Sequence, residues 1–344
     1  MSLLEVRDVR KTFPLRHGVA ARLKGAPRQA VHAVEGVSLA LEPGTTLGVV
    51  GESGSGKTTL GRLVLGLLRP TSGQILFAGE PIAGASRERW FELRREIQVV
   101  FQDPYASLDP RQRIEDIIRE PLDIHGIGTP AERRARVKEM MERVALPERH
   151  ARQLPHELSG GLRQRVGIAT ALVVGPKLVV ADEPVSALDV SVQGQIVELL
   201  ADLQRTTGVA YVFISHDLGV VQEVSDRVAV MYLGRIVEEG TVEQVYERPQ
   251  HPYTRALLSA IPPADPSVEH RPIALSGEIP TPIDPPSGCP FHPRCPLARP
   301  ICSEVVPPAL DHGGGHVASC HVTAAEHGIG VLAGHLEEAS VERS

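Results

Sequence analysis

No apolar run in this sequence approaches the ~20 residues needed to cross a bilayer, which excludes a membrane-spanning helix. Nor does it open on a signal-peptide core: Glu5, Arg7, Asp8, Arg10 and Lys11 stud the N-terminus, so a soluble, cytosolic chain is expected. A long basic block is missing too. Lys and Arg number 36 against 42 Asp and Glu, a formal charge of −6, which weighs against nucleic acid as a partner. Cysteine is absent from the first 288 residues; all four, Cys289, Cys295, Cys302 and Cys320, serve something local to the tail. There is no internal repeat. The 344 residues suffice for one large α/β domain with an appendage, or for two domains.

What the sequence does contain is a phosphate loop. Residues 51–59 read Gly-Glu-Ser-Gly-Ser-Gly-Lys-Thr-Thr, the pattern of Gly, four residues, Gly, Lys and Ser or Thr. Through Gly51, Ser53, Gly54, Ser55 and Gly56 the backbone N–H groups can converge on a triphosphate. Lys57 adds a point charge for the β- and γ-phosphates, and the Thr58 hydroxyl can ligate Mg²⁺. Context agrees: Thr46 to Val50 is a short apolar run, and Leu60, Leu63, Val64 and Leu67 between Thr59 and Leu68 have helical spacing.

Upstream, alternation over Leu3 to Phe13 and Val37 to Leu41 predicts half-buried antiparallel strands, with Leu15 to Gln29 an exposed loop between them. Phe13 ends the first strand, where an aromatic either stacks on a base or simply packs. Gln74 to Ala78 reads as a strand, and the Ile97 to Phe101 run is closed by Gln102. Residues 103–157 then carry helical stripes, Ile114, Ile117 and Ile118, then Val137, Met140, Met141 and Val144, which predict an inserted helical subdomain. At Leu158 the chain reads Leu-Ser-Gly-Gly-Leu. Ser159 is the predicted N-cap, and Ser159, Gly160 and Gly161 present free N–H groups and a helix dipole to an anion.

Leu178 to Ala181 is an apolar strand closed by two acids, Asp182 and Glu183. Buried carboxylates are costly unless they meet a cation or do chemistry. With a phosphate loop upstream, Asp182 is expected to orient Mg²⁺ through water and Glu183 to act as general base on the attacking water. A second buried strand, Tyr211 to Ile214, ends at Ser215-His216-Asp217, at the carboxyl edge where parallel sheets bind ligands. Arg227 to Gly240 reads as a hairpin, Thr241 to Ile261 as helical, and Pro262 to Pro286 as an extended linker. Five, six and seventeen residues separate the successive cysteines. That spacing chooses no metal, although clustered cytosolic cysteines are more often ligands than disulfides.

The phosphate loop, Gln102, Leu-Ser-Gly-Gly, Asp182-Glu183, Ser-Ala-Leu-Asp (186–189) and His216, in that order, resemble the nucleotide-binding subunits of ABC transporters over roughly residues 1–260. His251-Pro252-Tyr253 and the Cys-Pro-Phe-His-Pro-Arg-Cys-Pro tail resemble the dipeptide, oligopeptide and nickel importer branch. The resemblance implies an α/β P-loop fold with a mixed sheet core, an antiparallel β subdomain and an inserted helical subdomain at about 103–172. A nucleotide-binding domain would span 1–260 and a Cys-containing extension 261–344. Two cassettes would sandwich two ATPs. In that arrangement Phe13 stacks adenine, and Lys57, Thr58 and Thr59 hold phosphate and Mg²⁺. Gln102 senses the γ-phosphate, joins Asp182 and Thr58 around Mg²⁺ and meets the membrane partner. Ser159, Gly160 and Gly161 face the opposite nucleotide, Asp189 links the two sites, and His216 holds the γ-phosphate beside Glu183.

Further implications concern partners and cofactors. The implied partners are two membrane permease subunits, a second cassette and, indirectly, an extracytoplasmic substrate-binding protein, with no nucleic acid. The chain would sit peripherally on the cytoplasmic face of the inner membrane. ATP and Mg²⁺ are the implied ligands, and Cys289, Cys295, Cys302 and Cys320 would hold a [4Fe-4S] cluster, with zinc the alternative. Cargo would be peptides, or nickel or another small solute; a soluble ABC-type ATPase of DNA repair or translation is the rival from another class. One departure stands out. Leu162 replaces the usual Gln after Leu-Ser-Gly-Gly, which removes a side-chain hydrogen bond to the opposite nucleotide and weakens that contact.

Overall fold

The structure, a computed structural model, describes residues 2–15, 29–103, 105, 108–262, 270, 272–326 and 328. Most of the expected 15–29 loop, and positions 263–269 and 271 of the expected linker, lie outside the described residues. In chain order the elements are β1 (Leu4–Pro14), β2 (Ala30–Leu41), β3 (Thr46–Val50), α1 (Lys57–Val64), β4 (Ser72–Phe77), β5 (Glu80–Pro81), α2 (Arg87–Glu96), β6 (Ile97–Val100), α3 (Ile114–Ile124), α4 (Pro130–Arg143) and α5 (Gly160–Leu172). Then follow β7 (Leu178–Asp182), α6 (Val190–Thr207), β8 (Ala210–Ser215), α7 (Leu218–Val224), β9 (Arg227–Tyr232), β10 (Arg235–Thr241), α8 (Val242–Glu247), α9 (Pro252–Ser259), α10 (Pro300–Glu304), β11 (Leu310–Asp311), β12 (Val317–Ala318) and α11 (His321–Glu326). They fall into two units, Met1–Val9, Ser38–Val50 and Lys57–Asp226 in the first and Arg10–Val37, Gly51–Gly56 and Arg227–Ser344 in the second.

In the first unit, strands β3, β8, β7 and β6 run parallel, with Thr46 opposite Tyr211, Leu178 opposite Ala210 and Ile97 opposite Leu178. Every residue of β3 and β8 is buried, as in strands covered on both faces. This register brings Val50, Ser215, Asp182 and Val100 to one edge, so the residues that follow them share it. The first unit's stretches of β1 and β2, residues 4–9 and 38–41, belong with β4 and β5 to a second sheet of order β2-β1-β4-β5, the expected antiparallel subdomain. The inserted helices bury the predicted stripes: Ile114, Ile117 and Ile118 on α3, Val137, Met140 and Met141 on α4. Helix α4 starts on a capping box, where the Thr129 hydroxyl accepts from Glu132 N and the Glu132 carboxylate accepts from Thr129 N at 2.6 Å.

Helix α1 stops at Val64 although apolar spacing continues to Leu67. Gly66, at φ 65°, turns the chain there, and a Cβ at that position would meet the Trp90 ring at 1.8 Å.

In the second unit, β9 and β10 form the predicted hairpin, turned by Leu233 and Gly234 at φ 43° and 78°. The stretch expected to be helical, Thr241 to Ile261, holds two helices. Pro252 opens α9 at its first turn, and the His251 ring caps it by accepting from Tyr253 N at 3.1 Å. The cysteine-bearing tail joins this sheet: β12 pairs with β10, Ala318 opposite Glu238, and β11 adds beyond it. Glu238, with a fully buried side chain, accepts from Gln250 N at 2.6 Å, His251 N at 2.8 Å and His316 Nε2 at 2.7 Å. Those three donors offset the cost of burying its charge. None of this appears as a pattern in the tail's sequence, because each strand contributes two residues.

His251 is buried, and loss of hydration pushes its pKa down to about 4, against the pull of Glu238. The unfolded chain therefore takes up the proton first as pH falls below the ordinary histidine value. Stability present above pH ~6.5 is expected to decline toward pH 4 by about 3 kcal/mol from this residue. Urea titrations at a series of pH values check it: the His251→Asn variant should lack this component of the slope.

Candidate active site

The parallel strands of the first unit deliver their following residues to one edge, and three of the predicted residues meet there on a single carboxylate. Gln102 Nε2 donates to Glu183 Oε2 at 3.0 Å, and His216 Nδ1 lies 3.3 Å from the same oxygen. Glu183 has a left-handed backbone, φ 49°, which costs a non-glycine residue energy and is concentrated at functional sites. Its own N–H is anchored to Ile214 O at 2.9 Å, and the Ser186 hydroxyl donates to its carbonyl at 3.1 Å. The glutamate is mostly shielded, at 18% side-chain exposure, whereas His216 is open, at 57%. A base with one screened carboxylate and an open partner suits a water reached from solvent.

Beside it, Thr58 on the first turn of α1 donates its hydroxyl to Asp182 Oδ1 at 3.2 Å. Burial pushes the Asp182 pKa up; the Thr58 hydrogen bond and the charges of Arg62 and Lys57 act the other way. A hydroxyl touching a desolvated carboxylate fits Mg²⁺, which takes one or two protein oxygens and fills the rest with water and phosphate. Gln102, donating through its nitrogen, keeps its amide oxygen for the same cation. Lys57 is buried at the start of the helix.

The rest of the phosphate loop, Gly51–Gly56, belongs to the second unit, and its glycines are needed there. A Cβ on Gly51 would lie 2.1 Å from Met231 O and one on Gly56 2.2 Å from Ala33 O, while Gly54 has φ 79° in open space. Ser55 is buried and its carbonyl accepts from Gly234 N at 2.8 Å; Ser53 is exposed. Thr59 is half-buried on α1.

Sequence patterns did not reveal what grips this loop. Arg294, from the Cys-Pro-Phe-His-Pro-Arg-Cys-Pro segment, donates through both terminal nitrogens to Glu52, at 2.7 and 3.0 Å. The Tyr253 hydroxyl accepts from Glu52 N at 2.9 Å. Arg294 is buried, and its guanidinium carbon lies 5.9 Å from the centre of the Tyr232 ring. Tyr232, Tyr253, Phe291 and His251 pack together with ring centres 4.7 to 5.7 Å apart. The signal was present only as an arginine between two cysteines. Nothing local ties it to a glutamate 242 positions away.

Other predicted residues stand apart. Phe13 is half-buried with the Lys11 ammonium 5.0 Å from its ring centre. Ser159 caps α5, accepting from Leu162 N at 3.4 Å, and is exposed with Gly160. Gly161 packs so closely that a Cβ would meet Val192 at 2.6 Å. Asp189 is exposed at the start of α6, where its side chain makes no cap hydrogen bond.

The metal expectation for the tail is not supported. Burial, helped by the nearby Cys302, Cys320 and Cys295, pushes the Cys289 thiol up to about 12, and burial raises Cys295 as well. Among the described residues no three His, Cys, Asp or Glu side chains form a group that could hold a metal ion. The expected [4Fe-4S] cluster or zinc on Cys289, Cys295, Cys302 and Cys320 is thus without support in this structure.

Comparison with known proteins matches two family models to this chain. The ABC transporter family model matches residues 34–186, and the oligopeptide/dipeptide transporter C-terminal region model matches 237–302. The chain is 49% identical over 324 residues to an oligopeptide transport ATP-binding protein of Bacillus subtilis, covering 93% of this chain and 97% of that one. It is 48% identical over 321 residues to the oligopeptide transport ATP-binding protein of Salmonella typhimurium, covering 92% and 95%. Among solved structures, the cassette cbiO1 of Clostridium perfringens matches with TM-score 0.62 and 29% identity over 72% of this chain and 91% of that one. A dimeric ATP-binding cassette in a post-hydrolysis state with ADP and Pi matches with TM-score 0.60 and 28% identity over 70% and 98%.

The chain is therefore an ABC-type ATPase and belongs to the ABC transporter family. Within that family it carries the C-terminal region that marks the oligopeptide and dipeptide transporters. Among the described residues no helix is long and apolar enough to cross a membrane.

The left-handed backbone at Glu183 yields a stability test. Asn tolerates that conformation and a β-branched residue does not, so Glu183→Ile is expected to be about 1–2 kcal/mol less stable than Glu183→Asn in urea unfolding. Equal stabilities would remove the strain argument.

Proposed function

We propose that this chain is the ATP-hydrolysing subunit that powers an importer of dipeptides or oligopeptides. The observation that carries the reading is the Glu183 carboxylate, held by Gln102 and faced by His216, next to the Thr58–Asp182 pair. Lys57 and the N–H groups of the Gly51–Gly56 loop bind the triphosphate. Thr58, Asp182 and Gln102 would hold Mg²⁺, which when bound would supply positive charge against the charge developing on the transferred phosphoryl group. Glu183 accepts the proton of the water that attacks the γ-phosphorus, His216 holds the γ-phosphate, and the bond to the β–γ bridging oxygen breaks with ADP as the leaving group. Phe13 takes the adenine in place of its contact with Lys11.

The exposed Ser159 and Gly160 and the half-buried Gly161 at the start of a 13-residue helix, and the exposed Asp189, serve the nucleotide of a second cassette. That cassette, two membrane permease subunits and an extracytoplasmic binding protein complete the assembly, with this chain peripheral on the cytoplasmic face. The nucleotide-binding domain runs over residues 1–260 and the extension over 261–344. The peptide transport named for the relatives, at close to half identity over nearly whole chains, supports peptides as cargo over nickel. Leu162, half-buried behind Ser159, leaves the opposite nucleotide with backbone and hydroxyl contacts alone.

Two variants separate binding from chemistry. Glu183→Gln is expected to bind ATP, accumulate an ATP-bound closed dimer and lose roughly 10²–10⁴ in turnover. Lys57→Ala is expected to weaken ATP binding itself by roughly tenfold or more. Phosphate release and labelled-nucleotide binding measure the two. Wild-type turnover in the Gln variant would refute the assignment of Glu183 as base.

A further inference from the structure

The nucleotide loop contains an acid, Glu52, where a triphosphate is to be bound, and that acid is not left to solvent. Both its carboxylate oxygens are taken by Arg294, which lies in the cysteine-rich tail. We infer that Arg294 is a positioning residue for the phosphate loop: through Glu52, the C-terminal extension sets the affinity of this ATPase for nucleotide. The inference rests on the reading of residues 51–59 as the ATP-binding loop.

The geometry favours a fixed clamp over an incidental surface pair. A planar guanidinium meeting both carboxylate oxygens fixes orientation as well as distance, which a single-point ammonium cannot do. The arginine side chain is 6% exposed and the glutamate 25%, so water does little to screen or replace the pair. The guanidinium is held from behind by the Tyr232 ring, and Phe291, three residues earlier on the same turn, packs on Tyr232 and Tyr253. Tyr253 holds the other side of Glu52, accepting from its backbone N–H. Side chain and backbone of one loop residue are thus fixed by two segments that lie outside the hydrolytic cluster, α9 and the tail.

The turn that carries Arg294 is also defined. Cys289 N donates to Cys302 O at 2.8 Å, His292 N to Cys289 O at 3.0 Å, and Arg294 N to Phe291 O at 3.0 Å. A displacement of this turn reaches the loop through one residue. Loop N–H groups bind phosphate only while their convergence is maintained, so loosening Glu52 costs ground-state binding of nucleotide. It leaves Glu183, Gln102 and His216 untouched, and turnover at saturating ATP is expected to persist.

The test uses the full chain, with MgATP affinity from a fluorescent-nucleotide competition assay, kcat and KM from phosphate release, and Tm. Arg294→Met, which keeps length and loses the fork, should raise Kd and KM about tenfold with kcat within about twofold. Arg294→Lys should fall between it and the native chain, because charge returns without the fork. If Arg294 acts through Glu52, the Glu52→Gln/Arg294→Met double variant binds no more weakly than Arg294→Met alone.

A purely structural arginine would lower Tm and leave Kd and KM unchanged. That result overturns the inference, as does a double variant weaker than the single. Should the Met variant fail to fold, the Lys variant decides: about threefold weaker binding or more supports the clamp, and native affinity overturns it. Lys57→Ala serves as the control. Loss of binding there with native affinity at Arg294→Met defeats only this inference, whereas native affinity at Lys57→Ala defeats the nucleotide-loop reading beneath it.

Discussion

A buried parallel sheet can place chemistry only at its ends, and that constraint organises the hydrolytic half of this protein. Strands β3 and β8 are buried along their whole length and β7 up to its last residue, which leaves no room there for solvent-exposed polar groups. Asp182, Glu183, Gln102 and His216 therefore appear at or just after their strands' carboxyl ends, brought level by the register. The left-handed Glu183 is the local cost of turning the chain so that its carboxylate faces Gln102 and His216. Packing of the strands fixes the positions, and the hydrogen bonds select the rotamers.

The second unit obeys a different constraint, that of burying charge. The Glu238 carboxylate is satisfied by two backbone N–H groups and His316, and the Glu52 carboxylate by Arg294, while the Glu52 N–H donates to the Tyr253 hydroxyl. Each network joins the hairpin or the phosphate loop to the tail. Removing one partner from such a pair typically costs about 3–5 kcal/mol, because the other charge is left buried. These interactions explain why β12 docks on β10 although a two-residue strand has little stability of its own. The tail is a structural member of the unit that contains the loop.

Short-range signals carried most of the hydrolytic half. Phosphate loop, Leu-Ser-Gly-Gly and Asp182-Glu183 are contiguous motifs whose spacing reflects one turn or one strand end, so they read directly. Apolar periodicity likewise placed α3 and α4 and the hairpin. It failed where a single residue overrode it, at Gly66 for the end of α1 and at Pro252 for the start of α9. The tail was less legible for a deeper reason. Four cysteines are a compositional signal, whereas the described structure uses that segment for a buried arginine and two short strands. Contacts between residues more than 200 positions apart leave no period to detect.

The central claim is that hydrolysis at Glu183 drives peptide import. Its most direct measurement is uptake of a labelled oligopeptide by liposomes containing this chain assembled with its permease subunits and second cassette. Peptide-loaded binding protein is supplied outside and ATP is sealed inside, so that only cassettes facing the lumen can hydrolyse it. Uptake that requires ATP and stops with Glu183→Gln is the predicted result. Peptide accumulation unchanged by that substitution, or ATP hydrolysis with no peptide movement, would contradict the account.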